Sequence, residues 1–280
     1  MPKRYVVLFV GIYLSACSSF DVLNTVTASS HYEVIKDVPY GDQDRQFLDI
    51  YLPKEVLPEA PVFVFYYGGG WRDGAKGDYE FVASVLTEAG IVVVLPDYRL
   101  FPAVQFPVFV EDSAQAMQWV IDHRAEYGLQ GGPLFIGGHS AGAHIAALLA
   151  YDVRYLGGDR STLSGMVGLS GPYDFLPIES GYLLDVFPEA IRSDSQPIRF
   201  VDSFSPSTLL IHGDADETVN IGNSDRLAES LRAVGVRVAT KRYEGVGHAR
   251  VAAAMASPLS GLAPTAQDIR EFILADEAAD

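Results

Sequence analysis

The chain has 280 residues, 49% of them hydrophobic and 20% charged. This composition excludes disordered and fibrous classes and suits one large α/β domain with a buried core. The formal net charge is −16 and no basic block offsets it, which excludes nucleic acid as a partner.

The first feature along the chain is a leader. Lys3 and Arg4 precede an apolar run over 5–14, followed by Leu14-Ser15-Ala16-Cys17. A charged start, a short apolar stretch and small residues before a cut are the parts of a signal peptide, here 1–16. The run is shorter than the roughly 20 apolar residues that a spanning helix needs. Cys17 is the single cysteine of the chain, so no intrachain disulfide forms. Leu-Ser-Ala-Cys resembles the lipobox of bacterial lipoproteins. The resemblance implies that Cys17 becomes the mature N-terminus and carries a lipid anchor, whose buried CH₂ groups contribute about 0.8 kcal/mol each. Ser18 after the cysteine resembles outer-membrane sorting. The expected location is therefore the bacterial cell envelope, on the outer membrane facing the periplasm. Residues 17–31 are mostly small and polar and read as a tether. Residues 32–280 read as the catalytic domain.

From there the pattern alternates strand and helix. Residues 46–52 alternate as a strand. Residues 61–67 (PVFVFYY) are a buried-strand run that ends in Gly68-Gly69-Gly70. The spacing predicts a helix over 79–89, a buried strand over 91–95 (IVVVL) and a long amphipathic helix over 108–123. A strand over 134–137 follows, then a helix from just after Ser140 through 149. Further strands are expected over 166–169, 207–211 and 236–243, with helices over 224–234 and 265–274. Residues 173–205 lack a period and read as a small cap. Strands that are apolar on both faces and alternate with helices imply a mostly parallel sheet covered on both sides.

Chemistry concentrates at Gly138-His139-Ser140-Ala141-Gly142. This is G-x-S-x-G between a predicted strand and a predicted helix, the setting in which a tight turn lifts a serine above a sheet. Side chains two residues to either side would clash, hence the glycines. The following helix aims its N-terminus at developing negative charge. Tyr67-Gly68-Gly69-Gly70-Trp71 ends an earlier strand. Glycines let backbone N–H groups approach a tetrahedral oxyanion, where each donor removed costs roughly 3–4 kcal/mol. Gly69 and Gly70, with the N–H of Ala141, are the candidate oxyanion donors. Trp71, Tyr98 and Phe106 are candidate pocket walls, with a place in the core an equal reading.

A serine needs a base and an orienting acid, found in this turn's fold in the chain order Ser, acid, His. His212 and His248 follow Ser140 and its helix. His248, in Gly245-Val246-Gly247-His248, is free to reach the serine, whereas His212 ends a strand and reads as structural. His139 and His144 share the turn and helix of Ser140 and are expected to point elsewhere; His31 and His123 are expected to be exposed. Asp214, Asp216 and Glu217 compete as the acid in His212-Gly213-Asp214-Ala215-Asp216-Glu217, with Asp174 a more distant rival. Asp97 and Asp112 read as partners of Arg99 or of backbone. No metal-ligand spacing and no dinucleotide glycine motif is present, so no metal or cofactor is expected.

Taken in order, YGGGW, PDYR, GHSAG, HGDAD and GVGH resemble the α/β-hydrolase fold. More narrowly, they are similar to its carboxylesterase and hormone-sensitive-lipase-like branch and to relatives with a GGGW loop. The likeness runs from residue 32 to the C-terminus. It implies a mostly parallel central sheet flanked by helices with a small cap, and an acid at Asp216, where the family pattern H-G-x-x-D-x-x-V lands. Asp214 is then a turn residue. Lipase-like members have His where this chain has Tyr67, a position that shapes the loop rather than performing chemistry. The expected activity is hydrolysis of small or short-acyl carboxylic esters through an acyl-enzyme on Ser140. An amidohydrolase resembling arylformamidase, and a lipoprotein that keeps the fold as a binding scaffold, are the alternatives.

Overall fold

The computed structural model describes residues 23, 24, 27, 31–179 and 181–275. The leader and Cys17, on which the export and lipidation expectations rest, lie outside the described residues.

Eight strands among them form one sheet: β1 (Tyr32–Pro39), β2 (Phe47–Pro53), β3 (Val62–Tyr66), β4 (Val92–Pro96), β5 (Leu134–His139), β6 (Leu163–Leu169), β7 (Ser207–Gly213) and β8 (Val238–Tyr243). Their order is β1-β2-β4-β3-β5-β6-β7-β8. β1 and β2, and β2 and β4, pair antiparallel, and all other pairs are parallel. β3, β4 and β5 are buried at every position. Valine, phenylalanine and isoleucine on both faces make a strand that is stable only between two helical layers. Those layers include α1 (Glu80–Thr87), α2 (Val108–His123), α3 (Ala141–Tyr151), α4 (Gly181–Val186), α5 (Gly222–Ala233), α6 (His248–Ala253) and α7 (Thr265–Ala275).

The topology itself places the site. β3 lies between β4 on one side and β5 on the other. The chain winds outward in opposite directions from that point, which leaves a crevice at the carboxyl ends of β3 and β5. The glycine loop leaves β3 there, and Ser140 leaves β5.

Three features depart from the sequence reading. β1 has no signature in the sequence, because Tyr32–Pro39 is mostly exposed and carries no alternating pattern; pairing with β2, not burial, holds it. The cap is helical rather than irregular, with α4 and short 3₁₀ turns over Glu189–Ser195 and Pro197–Phe200. Part of the supposed tether is docked. Leu23 and Thr27 are buried. Asn24 Oδ1 accepts from Phe81 N–H at 3.0 Å, and Asn24 Nδ2 donates to Gly77 O at 2.6 Å. The residue before α1, Tyr79, supplies no side-chain cap. Asn24 satisfies a first-turn N–H in its place, from far away in sequence.

Candidate active site

β5 delivers Ser140 with φ 55° and ψ −120°, a left-handed backbone that costs on the order of 1–3 kcal/mol for a residue with a side chain. Its surroundings enforce it. Ser140 N–H donates to Leu169 O at 2.8 Å, and Ser140 O accepts from His144 N–H at 3.1 Å as α3 begins. A Cβ on Gly138 would lie 2.4 Å from the Gly142 carbonyl carbon, and one on Gly142 would lie 2.0 Å from Tyr66 O. Neither position tolerates a side chain, because the β3 backbone passes directly beneath the turn.

His248 is the first residue of α6, and its Nε2 lies 2.8 Å from Ser140 Oγ. Its Nδ1 lies 2.7 Å from Asp216 Oδ2. These partners fix the tautomer: Nδ1–H donates to the carboxylate and Nε2 accepts from the serine hydroxyl. Asp216 sits in the turn after β7, its carboxylate fully covered. Its Oδ1 accepts from Thr218 and Val219 N–H at 2.9 and 2.8 Å. Burial opposes ionisation of this carboxyl most strongly, but hydrogen bonds from His212, His248 and Val219 outweigh it and hold Asp216 below the usual carboxylate range. His212, read as structural, thus has a part in the site: its Nε2 lies 3.1 Å from Asp216 Oδ2. Asp214 instead accepts from Gly245 N–H at 2.7 Å, pinning the turn that leads to His248. Asp174 pairs with Arg226 on the cavity wall. Glu217 is exposed. Asp112 takes Arg99 in a forked pair and Asp97 takes the backbone N–H of Lys76, both as expected, and Asp97 also pairs with Arg45. His31 is exposed, but His123 is half-buried and stacked on Trp119 with ring centroids 4.5 Å apart.

The glycine loop after β3 turns through unusual backbone angles, with φ 139° at Gly69 and 60° at both Gly70 and Trp71. Gly69 O accepts from Arg72 and Asp73 N–H at 3.2 and 3.0 Å, closing a tight turn. A Cβ at Gly69 would lie 1.9 Å from Asp73 O. Among the described residues the N–H groups of Gly69, Gly70 and Ala141 have no protein acceptor. Such donors at a loop and a helix start suit an anion that forms transiently. Tyr67, in place of the histidine of lipase-like members, stacks on Tyr98 at 4.4 Å and accepts from Arg45 Nη2 at 2.7 Å. It braces the loop from behind. Tyr98 and Phe106 are buried and do not reach the cavity; of the three aromatic candidates, only Trp71 does.

Trp71 joins the loop to the cap more than it forms a wall. Its ring is edge-on to Phe187 at 4.8 Å and packs against Phe175, and its Nε1–H donates to His144 Nδ1 at 3.2 Å. His144 Nε2–H in turn donates to Ser195 O of the cap at 2.7 Å. Burial pushes the His144 pKa down to about 4, so the ring stays neutral. His144 does point away from Ser140, its Nε2 bonding to Ser195 O. Nothing local in the sequence reveals that it ties α3 to both the loop and the cap.

The cavity above Ser140 has a volume of about 1020 Å³. Ser140, His248 and the glycines form its floor. Phe175, Leu176, Tyr182 and Leu183 hang from the cap above them, with the Arg72 guanidinium 4.3 Å from the centre of the Tyr182 ring. An apolar roof over a few convergent polar groups is the usual form of a small-molecule site. Among the described residues no group of three or more His, Cys, Asp or Glu side chains is arranged to hold a metal ion, and no helix is long and apolar enough to cross a membrane.

A sequence profile of the BD-FAE family matches residues 48–231, well over half of the chain. The chain belongs to the BD-FAE family. This BD-FAE protein is an α/β-hydrolase. It is 30% identical to a probable isoprenylcysteine alpha-carbonyl methylesterase of Arabidopsis thaliana, over 87% of this chain and 56% of that protein. It is 31% identical to kynurenine formamidase of Danio rerio, over 72% of this chain and 67% of that protein. It is 30% identical to esterase LipC of Mycobacterium tuberculosis, over 75% and 58% respectively. The BD-FAE chain thus spans little more than half the length of the methylesterase and of LipC. Among solved structures it resembles a truncated carbohydrate esterase from gut microbiota (TM-score 0.76, 23% identity, 89% of this chain and 98% of that one). It also resembles a thermostable esterase from Pseudomonas putida (TM-score 0.70, 24% identity, 90% and 86%). At these identities the structural likeness speaks for the fold.

Proposed function

We propose that this BD-FAE protein is a serine carboxylesterase acting on small or short-acyl esters. One observation carries the reading: an unbroken line from Asp216 through His248 to Ser140, at 2.7 and 2.8 Å, opens into a cavity that Gly69 and Gly70 also line. His248 takes the proton of Ser140 as the hydroxyl attacks the acyl carbon. Asp216 holds the tautomer and stabilises the imidazolium. The N–H groups of Gly69, Gly70 and Ala141 receive the oxyanion. His248 then protonates the leaving alcohol, and a water activated by the same ring releases the acid. The printed names of the methylesterase and of LipC support ester cleavage. The test is labelling by a fluorophosphonate probe together with turnover of p-nitrophenyl esters of increasing acyl length. The expectation is one label per chain, lost in Ser140→Ala, and a kcat at least about 10⁴-fold lower in that variant. Unlabelled wild-type protein would leave the fold as a binding scaffold and overturn the reading.

A second reading rests on the 31% identity to a kynurenine formamidase. The same geometry can cleave an N-formyl amide, and a kcat/KM for N-formyl aryl amides above that for every ester tested would establish it.

We further propose that Cys17 is lipidated and that the protein is held at the bacterial cell envelope, on the periplasmic side of the outer membrane. The motif Leu14-Ser15-Ala16-Cys17 after a charged and apolar leader supports this. A Cys17→Ala variant is expected to leave the membrane fraction.

A further inference from the structure

We propose that His139, the residue before the nucleophile, is a positioning residue that joins the oxyanion loop to the base-bearing turn through its two ring nitrogens. The inference rests on the serine-esterase reading and adds to it a residue outside the triad.

Three contacts make the joint. Gly68 N–H, at the head of the glycine loop, donates to Tyr79 Oη at 3.3 Å. Tyr79 Oη lies 2.8 Å from His139 Nδ1. On the far side of the ring, His139 Nε2 lies 3.2 Å from the backbone carbonyl of His248. That carbonyl only accepts, so Nε2 carries the proton, and Nδ1 accepts from the tyrosine. The ring is buried, and burial, with the neighbouring His248, pushes its pKa down to about 3. It is therefore neutral wherever His248 works as a base. It adds no second positive charge beside the imidazolium, although the two ring centroids are 4.9 Å apart. The fit is close on the loop side too: a Cβ at Gly68 would lie 3.0 Å from His139 Nδ1 and 3.1 Å from Ser140 Cβ.

The need for such a joint follows from where His248 sits. Its turn leaves β8 at the end of the sheet order, passes Gly245 at φ 69°, and reaches the base through Gly247. Two glycines in four residues give that backbone little stiffness of its own, and its clasps at Gly245 N–H by Asp214 and at Val246 O by Ala215 N–H tie it to the turn after β7, not to the strand that carries Ser140. Asp216 orients the far edge of the imidazole but does not hold the His248 main chain. His139 belongs to the central strand β5 and is bonded covalently to Ser140. By gripping the His248 carbonyl it references the base to the strand that carries the nucleophile, and through Tyr79 it references Gly68 to the same strand. A displacement of about 1 Å among such groups costs on the order of 10²-fold in rate.

The test separates the two ends of the ring. Asn at 139 places an acceptor where Nδ1 was, keeping Tyr79 and losing His248. Gln at 139 extends a donor to where Nε2 was, keeping the His248 carbonyl. With p-nitrophenyl acetate, His139→Asn is expected to lower kcat by about 10- to 100-fold with KM within about twofold. His139→Gln is expected to recover most of that loss at a similar melting temperature. Tyr79→Phe, which leaves the His139–His248 contact intact, is expected to lose about fivefold. His139→Asn within twofold of wild-type kcat would overturn the proposal. So would equal losses in His139→Asn and His139→Gln that track a fall in melting temperature, since those mark a merely structural ring. If His139→Asn fails to fold, the decision passes to His139→Gln and Tyr79→Phe: wild-type rates in Tyr79→Phe together with His139→Gln reduced more than tenfold overturn it. Wild-type protein without turnover or fluorophosphonate labelling is a different failure, that of the esterase reading.

Discussion

The floor and the roof of the cavity are built on different principles. The floor is backbone: strand ends buried on both faces, left-handed angles at Gly69, Gly70, Trp71 and Ser140, and glycines at 138 and 142 where the Ser140 turn and the start of α3 press against the end of β3. The roof is side chains. Residues 173–205 run in short helical pieces, and Phe175 and Phe187 fasten them to Trp71. A site fixed by backbone can be held to fractions of an ångström, because moving it means moving a sheet. A site fixed by aromatic packing can be re-cut by substitution without losing the fold. Rate should therefore be written in the floor, and affinity and selectivity in the roof.

The largest expected effect comes from the floor. Asp216→Asn removes the charge that orients His248 and is expected to lower kcat by about 10⁴-fold, whereas Asp214→Ala, which only frees Gly245 N–H, should lose less than about tenfold. Steady-state kinetics decides between them, and equal losses would reassign the acid. Gly142→Ala forces a Cβ to within 2.0 Å of the Tyr66 carbonyl oxygen. It should cost about 3 kcal/mol, a fall in Tm of roughly 6–12 °C in a calorimetric scan.

A third test uses the two buried histidines, one in the floor and one at the join with the roof. The folded pKa values of His139 and His144 are about 3 and about 4, below the unfolded value of 6.5. The unfolded chain binds protons first as pH falls, so stability is intact above about 6.5 and declines below it. The slope is about 1.4 kcal/mol per pH unit for each ring down to their folded values. Tm measured from pH 7 to 4.5 should fall steeply, and by less in His139→Gln. A flat profile would mean that these rings are solvated. The smallest effect belongs to the roof: Trp71→Phe loses the bond to His144 and loosens Phe187. It is expected to raise KM about fivefold with kcat within threefold.

The floor is also the part that could be read in advance. β3, β4 and β5 announce themselves as short runs of β-branched and aromatic residues, and the turn at Ser140 by glycines whose absence of side chains is a local necessity. The order of Ser140, Asp216 and His248 follows from the same topology. What sequence could not reveal depends on partners far along the chain. His139 meets a carbonyl 109 residues away, and His144 one 51 residues away. Tyr98 and Phe106 face the core rather than the cavity, and an aromatic residue type does not state which way it faces. β1 is silent in the sequence because Glu33, Lys36 and Asp37 leave it without an apolar face. The cap has no period because its helical pieces are each too short to show one.

The cap that Asn24 places on α1 has a consequence for how the domain would be presented. Five residues separate position 17 from Leu23, six Cα-to-Cα steps that span about 20 Å when drawn out fully. With the proposed lipid on Cys17, that leash is shorter than the roughly 45 Å breadth of a folded domain of this length. The protein would then lie against the bilayer as a moored body with restricted rotation, meeting esters in the layer of water next to the membrane.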